Sequence, residues 1–374
     1  MNFIEEFNKG QTGGNKGIWM GDGLKNLCNA INGLQRGRLY GIAAPPKAGK
    51  STLVDYGCFL EPYLYCLEHG IPAEWIYYSL EIDRVSKEFD SAAFFLHRDY
   101  EITHITLPDG VFKDELSEIG LDSDYLRGRL IDDAGEIITI AESVKEVLIE
   151  VYNNRIIPIF GEYSESGIQI QPGVVTFIET KDNPTGIYKY LQYHASQNGK
   201  FVESGTGKFK RIIGFKPTIP EKYTFVITDH LRKMIPERGW QMKQTVDKMI
   251  EYQVEIRNWT AYTFIDIIHT NRDMVNQERL RFAKDMLYPT SDDIKDTGNL
   301  AEDADYVITL MNPNDDKYKL QKHFGLDIKD SNGNELHPHL RTLHLVESRH
   351  CKYPQHFKVN MMGGYKKFEQ IKTE

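Results

Sequence analysis

The sequence predicts an α/β fold: a mainly parallel central sheet with helices on both faces, plus a β-containing insertion. Two observations lead there. Apolar runs of the buried-strand type recur along the chain and bracket segments whose apolar residues fall at helical spacing, the pattern of a parallel sheet covered on both sides. Residues 38–56 then read, in order, as strand, loop, Gly-Lys-Ser and helix. That order turns backbone N–H groups of the loop and the helix N-terminus toward one point, a ready cradle for phosphate.

Taken in order, Phe3, Ile4 and Phe7 share one face of a short amphipathic helix, and Gly10-Gln11-Thr12-Gly13-Gly14 reads as a flexible linker. Residues 1–15 are therefore an arm that docks on its own body or on a neighbouring subunit, and residues 16–374 form one domain. A buried strand over 38–43 leads into the loop, and 51–56 opens the following helix. Residues 73–80 form a second strand and 85–96 a helix. A helix over 137–151 places Ile140, Val144, Val147 and Leu148 on one face. Residues 223–229 are a strand, 245–259 a helix, and 263–269, 306–311 and 342–347 further strands. The stretch 154–216 breaks this rhythm and is read as an insertion. Within it, Asn183 caps a helix with Pro184 at its first position. Residues 200–216 form a two-stranded ribbon turning at Ser204-Gly205-Thr206-Gly207. The ribbon carries Lys200, Lys208, Lys210, Arg211 and Lys216, which suits either a solvated hairpin or a nucleic-acid or partner contact.

The chain has 374 residues, 40% hydrophobic and 26% charged, with a net charge of −9. This is a globular composition, and the acidic balance excludes a protein whose whole surface coats nucleic acid, though not one with a local basic channel. Cys28, Cys58, Cys66 and Cys351 show no zinc spacing and read as reduced thiols of a cytoplasmic protein. No signal peptide or membrane-length apolar run is visible.

The loop Ala44-Pro45-Pro46-Lys47-Ala48-Gly49-Lys50-Ser51-Thr52 fits G-x-x-x-x-G-K-[ST] except for Ala44 at the first position. In such a loop Gly49 permits close backbone approach, Lys50 reaches the β/γ oxygens of ATP, and Ser51 offers a hydroxyl to Mg2+. The metal also needs a carboxylate aimed from a strand end, and Asp229 after Phe225-Val226-Ile227-Thr228 supplies it. Glu81, at the tip of the strand ending Ser79-Leu80, is placed to orient the attacking water.

This set resembles the ATPase domain of DnaB-type replicative helicases, a branch of the RecA-like P-loop fold. The family's A-x-P-x-x-G-K-[ST] is matched by Ala44, Pro46, Gly49, Lys50 and Ser51. S-L-E-M resembles Ser79-Leu80-Glu81-Ile82, and D-Y-L resembles Asp229-His230-Leu231. Q-L-N-R is similar to His269-Thr270-Asn271-Arg272, S-G-x-I-E-Q-D-A-D to residues 297–305, and K-x-R to Glu347-Ser348-Arg349. The resemblance covers about residues 16–98 and 223–368. It implies ATP hydrolysis with Mg2+, His269 as a γ-phosphate sensor, and Arg349 as an arginine finger acting on a neighbour's ATP. It further implies a homo-hexameric ring on single-stranded DNA, with a primase or helicase loader as further partner. Three departures stand out. His269 replaces a glutamine, Glu347 replaces a lysine, and the middle region is long with no primase-binding domain before the motor. The last fits a stripped-down, phage-encoded helicase working in the cytoplasm of a bacterial host.

DNA contacts are expected from the polar loop bearing Arg272, Arg279, Arg281 and Lys284, with Arg232, Lys233, Arg238 and Lys243 nearby. Such loops meet backbone phosphates and ignore sequence. Neighbouring acidic residues also permit a plain solvated face. Two other functions remain open at this level: a RecA-like recombinase or DNA-remodelling ATPase that builds filaments, and a degenerate ATP-binding replication scaffold.

Overall fold

The computed structural model describes residues 16–106, 118–129, 131, 135–137, 139–271, 276–297 and 300–371, together with Ile4 and Gln11. The rest of the N-terminal arm and Arg272 thus lie outside the described residues.

Nine strands build the central sheet: β1 (Leu39–Ala44), β2 (Ala73–Ser79), β3 (Val175–Ile178), β4 (Tyr223–Asp229), β5 (Thr263–His269), β6 (Tyr306–Met311), β7 (Leu340–Ser348), β8 (Gln355–Met362) and β9 (Lys367–Gln370). Their order is β9-β8-β7-β6-β1-β5-β4-β2-β3. The block from β6 through β1, β5, β4 and β2 to β3 is parallel. β7, β8 and β9 then run antiparallel as a meander. The sequence points to the parallel block through its intervening helices. It is silent on the antiparallel flank, because strand direction leaves no mark in an apolar run.

Side chains alternate across this sheet with period two. Phe225, Ile227, Ile265 and Ile267 face one layer, where they meet Leu53, Phe59 and Phe94. Val226, Phe264 and Ile268 face the other and meet Ile187, Leu191, Val246, Met249 and Ile250. The first layer holds the helix Lys50–Val54, continued through Asp55–Leu60 and Glu61–Glu68, and the helix Arg84–Tyr100. The second holds Pro184–Asn198 and Met242–Thr260. Asp83 caps Arg84–Tyr100 by accepting from Ser86 N–H, and Asn183 caps Pro184–Asn198 by accepting from Gly186 N–H.

Two local expectations change, and one apolar run without an earlier assignment resolves. The helix expected from residue 137 begins at Glu142, while Ile137 bridges Ile131. The apolar run Ile157–Phe160 is a helical turn. The stretch 154–216 is partly woven into the body, since it supplies edge strand β3 and a covering helix. Its ribbon does stand out, with Gly199–Ser204 paired antiparallel to Arg211–Pro217. Among the described residues, no helix is long and apolar enough to cross a membrane.

Candidate nucleotide site

β1 is buried at all six positions and sits between β5 and β6, so its C-terminal end is held from both sides. The chain leaves at Ala44, which pairs with His269 of β5. Ala48 N–H donates to Pro45 O at 3.3 Å, closing the loop, and the helix starts at Lys50 with Leu53 N–H donating to Gly49 O at 2.9 Å. Gly49 has φ 103°, and a Cβ there would lie 2.2 Å from Met361 Sδ. A side chain here is disfavoured by the backbone conformation and would also require the Met361 side chain of β8 to move. Arg341 of β7 braces the loop from outside, donating Nε–H to Ala48 O at 3.1 Å and Nη1–H to Asn312 Oδ1 at 3.1 Å. Pro46 and Lys47 are exposed at the loop tip, and Ser51 and Thr52 are partly exposed.

The carboxylates arrive on neighbouring strands. Ser79 pairs with Asp229, and Leu80 N–H donates to Asp229 O at 2.7 Å, so Glu81 and Asp229 are fixed to one edge of the sheet beside the loop. Asp229 is 1% exposed, and neither of its carboxylate oxygens has a hydrogen-bond partner among the described residues. A buried carboxylate is stable only when its charge is met. Lys87 Nζ, 3.7 Å from Asp229 Oδ2, meets part of it. Lys87 also donates to both oxygens of Asp55, at 2.9 and 2.6 Å, and lies 3.0 Å from the Tyr77 hydroxyl, which itself donates to Asp55 Oδ1 at 2.8 Å. Burial lowers the Lys50 pKa, while Asp229 and Glu81 work against that fall. An unsatisfied, deeply buried carboxylate beside a partly exposed serine at a helix start is the donor set that suits Mg2+, which takes oxygen ligands and keeps several waters.

Glu81 meets two further side chains. Its Oε1 is 3.1 Å from Lys233 Nζ and 3.5 Å from His230 Nε2. Burial pushes the Glu81 carboxyl up, the Lys233 hydrogen bond and nearby positive charge pull it down, and the pull wins. The His230 and His269 rings stand edge to face with centroids 4.7 Å apart. Burial, then the Lys50 charge, lowers the His269 pKa, which disfavours the imidazolium form.

No protein-family model matches the sequence, and no curated protein matches it. Solved structures do match it. One, described as an ATPase domain, aligns with 99% of this chain and 96% of its own length, with a TM-score of 0.59 at 11% identity. A DnaB-like replicative helicase, described with its interactions with primase, aligns with 99% of this chain and 67% of its own, with a TM-score of 0.62 at 12% identity. This chain shares the fold of these two structures.

In this fold Lys50, Asp229, Glu81 and His269 converge at the end of the sheet where β1 gives way to the loop. Arg349 does not join them. β7 is antiparallel to β6, Ser348 pairs with Tyr306, and Arg349 N–H donates to Asp305 O at 3.0 Å. Asp305 N–H in turn donates to the carbonyl of Leu39, the first residue of β1. Arg349 thus lies at the opposite end of the sheet from its own loop. There Nη2–H donates to the Glu302 carbonyl, and the side chain is 48% exposed. Asp305 ties this end together. It accepts from Leu39 N–H at 2.9 Å and Arg257 Nη1–H at 2.7 Å, and lies 2.8 Å from His350 Nε2 and 3.3 Å from Arg38 Nη1.

The basic positions divide. Arg279 donates to Asp293 Oδ1 at 2.6 Å and Tyr288 O at 2.7 Å, so its guanidinium is occupied in bracing the loop. Arg281 and Lys284 are exposed, as are Lys208, Lys210 and Arg211 on the ribbon. Asp55, Lys87, His230 and Arg341 are site residues that sequence reasoning did not single out. The one available signal was a charge inside an apolar helical face, at Asp55 and Lys87, and such a charge is as often solvated as paired.

Proposed function

We propose that this chain is the ATP-driven motor of a DnaB-like replicative helicase, which translocates on single-stranded DNA as a homo-hexameric ring. One observation carries the reading: Lys50, Ser51, Asp229 and Glu81 assemble at one end of the sheet while Arg349 stands at the other. A single chain is then half a site at each end, and a head-to-tail ring joins the halves. The loop Ala44 to Thr52 would hold the triphosphate of ATP, with Lys50 on its β/γ oxygens and Ser51 and Asp229 holding Mg2+. The metal supplies neutralising charge on the phosphates. Glu81 orients the attacking water and receives its proton, His269 donates a hydrogen bond, and Arg349 stabilises charge on the neighbour's transferring phosphate. Lys87 positions Asp229. Arg281 and Lys284 would face DNA phosphates. A primase or loader and a bacterial cytoplasmic setting, as for a phage-encoded replisome, complete the proposal.

Electron microscopy with a non-hydrolysable ATP analogue and single-stranded DNA tests it. Closed six-membered rings around DNA are expected. A filament would transfer the chain to the recombinase class, and monomers without ATP turnover would transfer it to the scaffold class.

A further inference from the structure

Three side chains from three neighbouring strand ends converge beside Lys50. Glu81 follows β2, His230 follows β4 and His269 ends β5, and one donor atom of each lies within 4.8 Å of the other two. Donors held tetrahedrally at roughly 2.0–2.2 Å from zinc are separated by about 3.3–3.5 Å. His230 Nε2 and Glu81 Oε1, 3.5 Å apart, already have that spacing. The His269 donor lies within 4.8 Å of each of them, and the two imidazole rings pack edge to face with centroids 4.7 Å apart. His230 is 3% exposed, and its Nδ1 has no hydrogen-bond partner among the described residues.

The chemistry agrees with the geometry. Each imidazole offers a ring-nitrogen lone pair, and both rings stand beside the Glu81 carboxylate, the mixed nitrogen and oxygen donor set of zinc sites. Two neutral imidazoles and a carboxylate select zinc-like ions over magnesium, which prefers an all-oxygen shell. The Glu81 side chain is 33% exposed, which leaves the solvent side open for a fourth ligand. Lys233 is the competitor for Glu81, and at 40% exposure it can swing into water.

We propose that Glu81, His230 and His269 form a binding site for a zinc-like divalent ion, separate from the Ser51 and Asp229 pair. Its consequence rests on the ATPase reading: an ion ligated by Glu81 removes the water-orienting carboxylate, so zinc inhibits turnover in excess Mg2+ and a zinc-selective chelator restores it.

The test is zinc uptake by the full chain, measured by equilibrium dialysis with metal analysis and by calorimetry. One zinc per wild-type chain is expected. Loss of a supporting group near a metal weakens binding about 10–100-fold, so His269→Gln and Glu81→Gln, which each remove a ligand, should weaken it by more than about 10-fold. Circular dichroism confirms that each variant is folded. His356→Asn, in the separate cluster where His344 Nδ1 lies 2.9 Å from His356 Nδ1, should keep full uptake. No zinc retained by wild type, unchanged affinity in both ligand variants, or loss only in His356→Asn would overturn the proposal. Turnover of metal-stripped protein with Mg2+ alone judges the ATPase reading separately. Zinc uptake without turnover keeps this site and removes that reading, and turnover without zinc uptake does the reverse.

Discussion

Removing the Arg349 guanidinium should cut ATP turnover on the order of 10³-fold while leaving nucleotide affinity nearly unchanged, because the group acts on charge that develops across an interface. The sheet sets the reach. The six residues of β1 rise about 3.3 Å each, so the Arg349 end stands about 17 Å from the residue where the loop begins, further than one arginine side chain spans. Arg349 is half exposed and held locally by the Glu302 carbonyl and a 4.0 Å surface ion pair with Asp303, so Arg349→Ala should change folding stability by no more than about 0.5 kcal/mol. The assay mixes Arg349→Ala with Lys50→Ala subunits in equal amounts. In randomly mixed head-to-tail rings, about one quarter of interfaces pair an intact Lys50 with an intact Arg349. Steady-state turnover should therefore rise to about one quarter of wild type where sites fire independently, from near zero in either parent. Native mass spectrometry establishes that the rings are mixed. Mixed rings that hydrolyse no faster than the parents would refute action in trans.

Within the site itself, Lys50→Ala should abolish hydrolysis and weaken ATP binding, whereas Glu81→Gln should bind ATP and fail to turn over. Steady-state kinetics and nucleotide titration separate the two, and normal turnover in either removes that residue from the mechanism. Lys87→Met leaves Asp55 and Asp229 buried without their cation, so it should cost about 3–5 kcal/mol in chemical denaturation, and adding Asp55→Asn should recover part of this. A cost below about 1 kcal/mol would mean that the network is not stabilising. Glu74 is pushed up by burial, but contacts from His194, Lys222 and Thr224 outweigh this and hold it down at about 2. Its depressed pKa stabilises the fold above the unfolded value of about 4.3, and that contribution is lost as pH falls toward 2. Glu74→Gln should flatten this acid limb in a pH series of thermal melts, and an unchanged limb would contradict the assignment. Neutralising Arg281 and Lys284 should weaken single-stranded DNA binding for all sequences and lower the salt-dependence slope by roughly 0.7 per lost phosphate contact. A slope change confined to Lys208, Lys210 and Arg211 variants would move the DNA path to the ribbon.

The chain's local order was legible where one residue pattern has one physical solution. β4, β5 and β6 lie where their apolar runs stand, because a strand buried on both faces is mostly apolar. The Asn183 cap followed from Asn-Pro spacing, which satisfies exposed helix N–H groups by local bonding. The loop was legible because phosphate binding demands Gly49, Lys50 and Ser51 within consecutive positions. By contrast, the direction of β7, β8 and β9, the start of the helix at Glu142, and the capture of β3 by the sheet depend on partners distant in sequence.

The sequence alone therefore determined the α/β class and the strand–loop–helix order around Gly49, and it put forward Lys50, Asp229 and Glu81 as candidates. Each of these rests on short-range chemistry written in neighbouring residues. Only the tertiary structure decided that Lys87 stands between Asp55 and Asp229, and that Arg341 and Met361 close on the loop from the antiparallel flank. It alone brought Glu81, His230 and His269 together and set Arg349 at the far end of the sheet. Such placements depend on which strands become neighbours and in which direction they run. That choice minimises buried polar cost over the whole core and is not encoded in any one segment.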